Sequence, residues 1–186
     1  MSVFTSSQKD LIILTERFVL RPLRKGDIAI LFEKTSRNSE LAKYLKWDPP
    51  KTLEEAQKLF LPKKKDMIRW GIFWKNQFVG CVSLLNIIRS LGSREINAAE
   101  MGYWILPEFC GQGCATEAAK YMIRFGFQVL KLHKIMASCT VENEPSNRVL
   151  EKLGFRFVGT RKDHYFKYNR WWDMKLYEMT KNELID

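Results

Sequence analysis

Cysteine and histidine are scarce in this 186-residue chain, with four of the first and two of the second. Cys81, Cys110, Cys114 and Cys139 form no CxxC pair, and the closest spacing, Cys110-x-x-x-Cys114, has no histidine beside it in sequence. A zinc or redox site is therefore disfavoured, no metal is expected, and the thiols are expected to be reduced. Neither cysteine nor serine has the histidine partner that a covalent acyl-enzyme mechanism needs. Long apolar runs are missing as well: nothing approaches a membrane span. Lys9 and Asp10 precede the first apolar stretch without a signal-peptide pattern. A soluble, cytoplasmic protein with no membrane partner is expected. Linker-like Gly/Ser/Pro stretches and breaks in composition are absent too. With 46% hydrophobic residues, 1–186 is expected to be one domain with a real core, residues 1–10 being flexible.

What is present is concentrated between Ile105 and Ala118, where an aromatic-rich strand runs into Cys110-Gly111-Gln112-Gly113-Cys114 and then directly into a helix. Glycines let the backbone bend sharply and approach a ligand, while the first amides and positive dipole end of the following helix attract anions. A pyrophosphate suits such a pocket, although a Gly-x-Gly turn is also an ordinary way to leave a strand. Thr116 stands where the third Gly or Ala of a dinucleotide fingerprint would be. No early βαβ unit surrounds it, and no Gly-x-x-x-x-Gly-Lys-Ser/Thr occurs, which argues against Rossmann and P-loop proteins.

Cys110-Gly111-Gln112-Gly113-Cys114-Ala115 resembles the acetyl-coenzyme A signature of the GNAT acetyltransferases, Gln/Arg-x-x-Gly-x-Gly/Ala. Gly113 and Ala115 match, and Cys110 replaces the usual first residue. Further blocks, in order along nearly the whole chain, resemble the RimJ/RimL branch of ribosomal-protein N-terminal acetyltransferases. They are Leu14-Thr15-Glu16-Arg17-Phe18-Val19-Leu20-Arg21-Pro22, Tyr44-Leu45-Lys46-Trp47, Met101-Gly102-Tyr103-Trp104 and the segment from Asn143 to Phe155. The resemblance implies an α+β GNAT-like fold with a central mixed, mostly antiparallel sheet flanked by helices. It implies acetyl-coenzyme A as cosubstrate, held by Ile105, Leu106, Cys110, Gly111, Gln112, Gly113, Cys114, Ala115 and Thr116. In that fold two strands splay apart, and the pantetheine arm pairs with backbone groups such as those of Ile105 and Leu106.

The residues themselves predict a strand over Ile12–Arg21, a short helix from Gly26-Asp27 through Phe32, and a break at Asp48-Pro49-Pro50. Thr52 with Glu55 reads as a capping box for a helix to about Phe60. Met67–Trp74 and Gln77–Asn86 read as strands meeting at a Lys75-Asn76 hairpin turn, followed by a strand over Ile96–Leu106. From Thr116, Ala118, Met122, Phe125 and Val129 share one apolar helix face, which reads as core. His133–Val141 is a strand, Ser146–Leu153 a helix closed by Gly154, and Phe155–Thr160 and Trp172–Thr180 are the last strands.

Acetyl transfer from a thioester to an amine needs a neutral amine, a stabilised oxyanion and a protonated leaving thiolate. Glu100, on the strand that feeds the loop and on the same face as Gly102, is the general-base candidate; an edge carboxylate or ion-pair partner is its ordinary alternative. Asn143 can cap a helix; the resemblance places it on the cofactor arm and Ser146 near the sulfur, as proton or hydrogen-bond donor. Ser146 can equally be part of a helix cap. Leu150 occupies the place where many GNATs carry an acid tyrosine, so that role does not transfer. Trp47, Trp104, Trp171 and Trp172 are either core or walls of an acceptor cleft. Asn169-Arg170-Trp171-Trp172-Asp173 resembles the family's Asn/Asp-Gly-x-Trp-x-Asp turn, with Arg170 in place of glycine.

The formal charge is +10, yet the basic residues are dispersed apart from Lys63-Lys64-Lys65, and nucleic acid is not required to explain them. That cluster is either a solvated helix end or a patch that steers toward coenzyme A phosphates, an acidic protein or a ribosomal surface. An α-amine, with a reference pKa of about 7.7–8.0 against about 10.4 for lysine, asks less of a base. The leading acceptor is therefore a protein or peptide N-terminus, with a ribosomal protein as the implied partner. A small amine such as an aminoglycoside or polyamine is the alternative, and a catalytically silent coenzyme A-binding module a further one. A monomer or a homodimer is expected.

Overall fold

The computed structural model describes residues 11–36, 38–61, 66–88 and 97–184. Eight strands form a sheet: β1 (Ile13–Leu14), β2 (Val19–Pro22), β3 (Ile68–Trp74), β4 (Gln77–Ile88), β5 (Ala98–Ile105), β6 (Lys134–Thr140), β7 (Arg156–Lys167) and β8 (Arg170–Thr180). Their order is β1-β2-β3-β4-β5-β6-β8-β7. The β5–β6 pair is parallel, whereas β1–β2, β2–β3, β6–β8 and β7–β8 are antiparallel, so the sheet is mixed as expected. Among the described residues five α-helices accompany it: α1 (Ile28–Ser36), α2 (Ser39–Tyr44), α3 (Leu53–Phe60), α4 (Cys114–Gln128) and α5 (Glu144–Lys152). None of them is long and apolar enough to cross a membrane. By packing, the chain divides into two compact units, one of residues up to Ser83 plus Tyr103–Tyr121, the other of Leu84–Gly102 plus the residues from Met122 on.

In the first unit, the strand expected over Ile12–Arg21 is instead a hairpin. The Thr15 hydroxyl accepts from the Phe18 amide at 2.8 Å and the Thr15 amide donates to the Phe18 carbonyl at 2.9 Å. A side chain that bonds its own backbone competes with the ladder and reverses the chain. The helix expected to end at Phe32 runs on to Ser36, preceded by a single 3₁₀ turn at Lys25–Asp27. Helix α2, not foreseen, is capped by Asn38, whose side chain accepts from the Leu41 amide. At α3, Thr52 caps Glu55 as expected, while the Glu55 carboxylate takes the amide of Lys51, one residue before the cap. Lys75 and Asn76, both at positive φ, make the predicted turn between β3 and β4. The core of this unit gathers Leu31, Ala56, Phe60, Phe78, Cys81, Trp104 and Leu106. A Cβ on Gly80 would collide with the Trp104 carbonyl oxygen and lie 2.9 Å from the Ile105 Cα, so only glycine permits that approach of β4 to β5.

In the second unit, β5 and β6 pair from Ala98↔Lys134 to Met101↔Ala137 and no further, although the strands run on to Ile105 and Thr140. Helix α4 begins in the first unit, where Ala118 of its apolar face is buried, and here buries Met122 and Phe125, but it stops at Gln128 and leaves Val129 exposed, against expectation. Strands β7 and β8 exceed the predicted Phe155–Thr160 and Trp172–Thr180 because the run from Arg161 to Lys167 is polar and mostly exposed, which hides its alternation. They turn at Tyr168 and Asn169, both at positive φ. Gly154, at φ +84, ends α5 as read from sequence. Cys81, Cys114 and Cys139 are buried, Cys110 is exposed, and none of the four is in a disulfide. Residues 1–10 and Lys63-Lys64-Lys65 lie outside the described residues.

Candidate active site

The glycine loop in the first unit is built by its main chain. The Leu106 amide donates to the Val79 carbonyl at 2.9 Å, anchoring the end of β5. One 3₁₀ turn, Pro107–Phe109, follows, and the Cys110 thiol faces the carbonyls of Ile105 and Leu106 at 3.8 and 3.6 Å. Of the backbone groups expected to meet a ligand, the Leu106 amide thus already has an internal partner. Gly111 and Gly113 take φ of 76° and 75°, in the left-handed region. Among the described residues, and leaving out the two chain neighbours, nothing lies within 4 Å of a Cβ placed on Gly111, and at Gly113 the one neighbour is the Arg17 Nη2 at 3.5 Å. The Gly113 carbonyl accepts the amide of Glu117 at 3.0 Å, which makes Gly113 the N-cap of α4. The amides of Cys114, Ala115 and Thr116 accordingly have no intrahelical acceptor. Open space above glycines and main-chain donors without helical partners form a cradle for an anion.

A clasp that sequence reasoning missed secures this loop. Glu117, one turn into α4, accepts from the Thr15 hydroxyl at 2.6 Å, the Arg17 amide at 2.9 Å and the Arg17 Nε at 2.7 Å. Arg17 also donates from Nη1 to the Gln112 carbonyl at 2.9 Å. Burial would push the Glu117 carboxyl up, but the bonds from Thr15 and Arg17 outweigh it and hold it below the ordinary range. The only sequence trace of the clasp was the Thr15-Glu16-Arg17 block itself.

In the second unit, Glu100 is half-buried, and its carboxylate is held by the Ser138 hydroxyl at 3.2 Å and the Asn86 amide at 3.4 Å. Asn86 sits in the left-handed region at φ 50°, and Ser138 lies on β6 one residue beyond the last β5–β6 pair. Asn143 caps α5, its side chain accepting the Ser146 amide at 3.2 Å; both are half-buried. Behind them lies Asn147, 5% exposed, which the sequence reading did not single out. Its amide donates to the carbonyls of Thr140, Val141 and Asn143, and its oxygen accepts from the Tyr177 hydroxyl at 2.9 Å and the Cys139 thiol at 3.1 Å. Burial, with Cys139 and Glu151 nearby, pushes the Tyr177 hydroxyl up to about 12. Leu150 is core, 1% exposed.

Of the tryptophans, Trp104 is only 9% exposed and packs with Phe60, Phe78 and Trp47, the last at a ring distance of 5.9 Å. Trp47 is half-buried over Phe60. Trp171, 57% exposed, leans on Phe166 near the β7–β8 turn. Trp172 is buried, bonded to the Lys167 carbonyl and covered by the Arg170 guanidinium.

Residues 17–156 match a family described as an acetyltransferase (GNAT) domain. The chain is 30% identical over 176 residues to the uncharacterized N-acetyltransferase YnaD of Bacillus subtilis (strain 168), covering 92% of this chain and 98% of the other. It is 29% identical over 149 residues to the spermidine N(1)-acetyltransferase of Escherichia coli (strain K12), covering 79% and 77%. Among solved structures it resembles RimL, a ribosomal L7/L12 alpha-N-protein acetyltransferase in complex with coenzyme A, with a TM-score of 0.81 at 23% identity over 91% of this chain and 97% of that one. At that identity the likeness carries the fold alone.

Proposed function

Because the chain belongs to the GNAT acetyltransferase family, we propose that this N-acetyltransferase takes its acetyl group from acetyl-coenzyme A and delivers it to the α-amino group of a protein or peptide, as a RimJ/RimL-like enzyme does. The match over residues 17–156 takes in residues of both units, and one acetyltransferase domain over 1–186 is part of this proposal.

The segment from Cys110 to Thr116 fits the cosubstrate's phosphates, with Ile105 and Leu106 toward the pantetheine arm: two left-handed glycines leave the space a side chain would fill, and first-turn amides of α4 supply donors. Asn143 is assigned to the cofactor arm. Acetyl-coenzyme A brings an activated thioester. Glu100 accepts the proton of the attacking amine, directly or through a water, and its hydrogen bonds from Ser138 and Asn86 aim the carboxylate. Ser146 donates a hydrogen bond to the departing sulfur. Trp47 and Trp171 are kept as acceptor-side residues, with Trp104 supporting Trp47 from the core.

The choice of acceptor rests on the amine: an α-amino group, with a reference pKa of about 7.7–8.0 against about 10.4 for a lysine-type amine, asks less of a carboxylate base near neutral pH. The polyamine reading has its own support in the similarity to spermidine acetyltransferases. One competition separates them. The enzyme is given acetyl-coenzyme A with N-terminally free peptides, ribosomal proteins and spermidine in one mixture, and the products are weighed by mass spectrometry. Acetylation of peptide or protein α-amines ahead of spermidine is expected; acetylspermidine as the main product would replace this acceptor, and no product with any amine would leave a silent binding module.

A further inference from the structure

From Ile105 to Ala118 the chain has no lysine or arginine and carries Glu108 and Glu117, so the loop proposed to receive a pyrophosphate has two negative charges of its own. Main-chain dipoles alone would have to offset both. Cations arrive from elsewhere in the first unit: Lys34 pairs with Glu108 at 3.1 Å, and Arg17 pairs with Glu117 at 2.7 Å. The two pairs differ in where they leave their charge. Arg17 spends Nε on Glu117 and Nη1 on the Gln112 carbonyl, which fixes the plane of its guanidinium, and its Nη2 then lies 3.5 Å from the position a Cβ on Gly113 would take. Gly113 is the residue that leads into the Cys114–Thr116 amides, so Nη2 stands beside the start of α4.

We propose that Arg17 is a cofactor-binding residue whose Nη2 group donates to the pyrophosphate of coenzyme A, with Thr15, Glu117 and the Gln112 carbonyl as the frame that orients it. This rests on the reading of Gly111–Thr116 as the phosphate site and adds to it a side chain from the β1–β2 hairpin, about a hundred residues away in sequence. An arginine held by two fixed bonds has already lost the rotamer freedom that a phosphate contact would otherwise cost, and its planar fork suits phosphate oxygens better than a lysine. At 42% side-chain exposure its ion pair with Glu117 adds little to stability, so a purely structural role would be a weak reason for so many bonds.

The test is a calorimetric titration of the full chain with coenzyme A, dephospho-coenzyme A and pantetheine, for the parent, Arg17→Gln, Arg17→Lys and Glu117→Gln, with melting temperatures to verify folding. Arg17→Gln is expected to weaken coenzyme A and dephospho-coenzyme A alike by about ten- to a hundredfold, the usual size of a charged hydrogen bond, and to leave pantetheine unchanged. Arg17→Lys should recover part of the loss, and Glu117→Gln should lose less than Arg17→Gln. Equal losses in Arg17→Gln and Glu117→Gln would make Arg17 a latch only. A loss confined to coenzyme A would move its contact to the 3′-phosphate, and no loss would remove the contact; each overturns the proposal while leaving the loop as the phosphate site. A parent that binds neither nucleotide would overturn the loop reading and this proposal together.

Discussion

In the first unit the groups offered to an anion are main-chain amides, placed by two left-handed glycines and the start of a 15-residue helix. In the second unit the polar groups of interest are side chains: Glu100 steadied by Asn86 and Ser138, and Asn143 and Ser146 at the start of α5, with Asn147 bonded beneath them to Tyr177. Main-chain geometry follows from a few adjacent residues and tolerates change in side chains that point away. A side-chain network depends on partners dozens of residues apart, and each member lost strands its neighbours.

The largest effect should come from breaking the second unit's chemistry. Glu100→Gln keeps the shape and removes proton acceptance, so turnover should fall by roughly a hundred- to ten-thousandfold. The loss should be worst at low pH and partly relieved as rising pH deprotonates the acceptor. Ser146→Ala should lower turnover without that relief. Single-turnover acetylation followed against pH reads both, and a Glu100→Gln profile that superimposes on the parent's removes Glu100 from the mechanism.

Asn147→Ala sharpens the contrast in stability. It removes the acceptor of the Tyr177 hydroxyl and the donors to three carbonyls, so urea unfolding should show a loss of about 2–4 kcal/mol. A loss under half a kcal/mol would show that water or neighbours replace it.

The Glu117 clasp gives a smaller, pH-dependent term. Its carboxyl is held low in the folded chain, so the stabilisation is complete above the ordinary carboxylate value of 4.5 and is lost as pH falls through the lower folded one. With Arg17 partly exposed, the parent should exceed Glu117→Gln by about 1 kcal/mol or less at neutral pH, and the gap should close in acid. A gap that widens toward acid has the wrong sign. Smallest of all should be Gln112→Ala, whose side chain bonds the Glu108 carbonyl; within about 0.5 kcal/mol of the parent is expected, because the turn is made by its glycines.

How much of this was legible follows the same division. The glycine turn, the Thr52 cap, the Lys75-Asn76 hairpin and the Gly154 stop are local signals, and each appears where its residues stand. The β1–β2 reversal was hidden because Thr15 makes it with a hydroxyl, inside a run that alternates like one strand. The far half of β7 was hidden because its exposed polar residues have no apolar period. Asn147 and Glu117 were invisible for a third reason: their partners, Tyr177, Cys139, Thr15 and Arg17, meet them only after folding. Leu150 reads the same both ways, a leucine where a polar group would be needed, and buried as one.

The claim on which the account turns is that the main chain from Gly111 to Thr116 holds the phosphates, and Gly113→Asp tests it most directly. Aspartate tolerates a left-handed φ better than most residues, and its carboxylate can pair with Arg17, so the variant should fold. It nevertheless places a side chain and a negative charge in the cradle. Titration with acetyl-coenzyme A should show an affinity about a hundredfold or more below the parent's, with an unchanged circular dichroism spectrum; an affinity equal to the parent's in the folded variant would contradict the account.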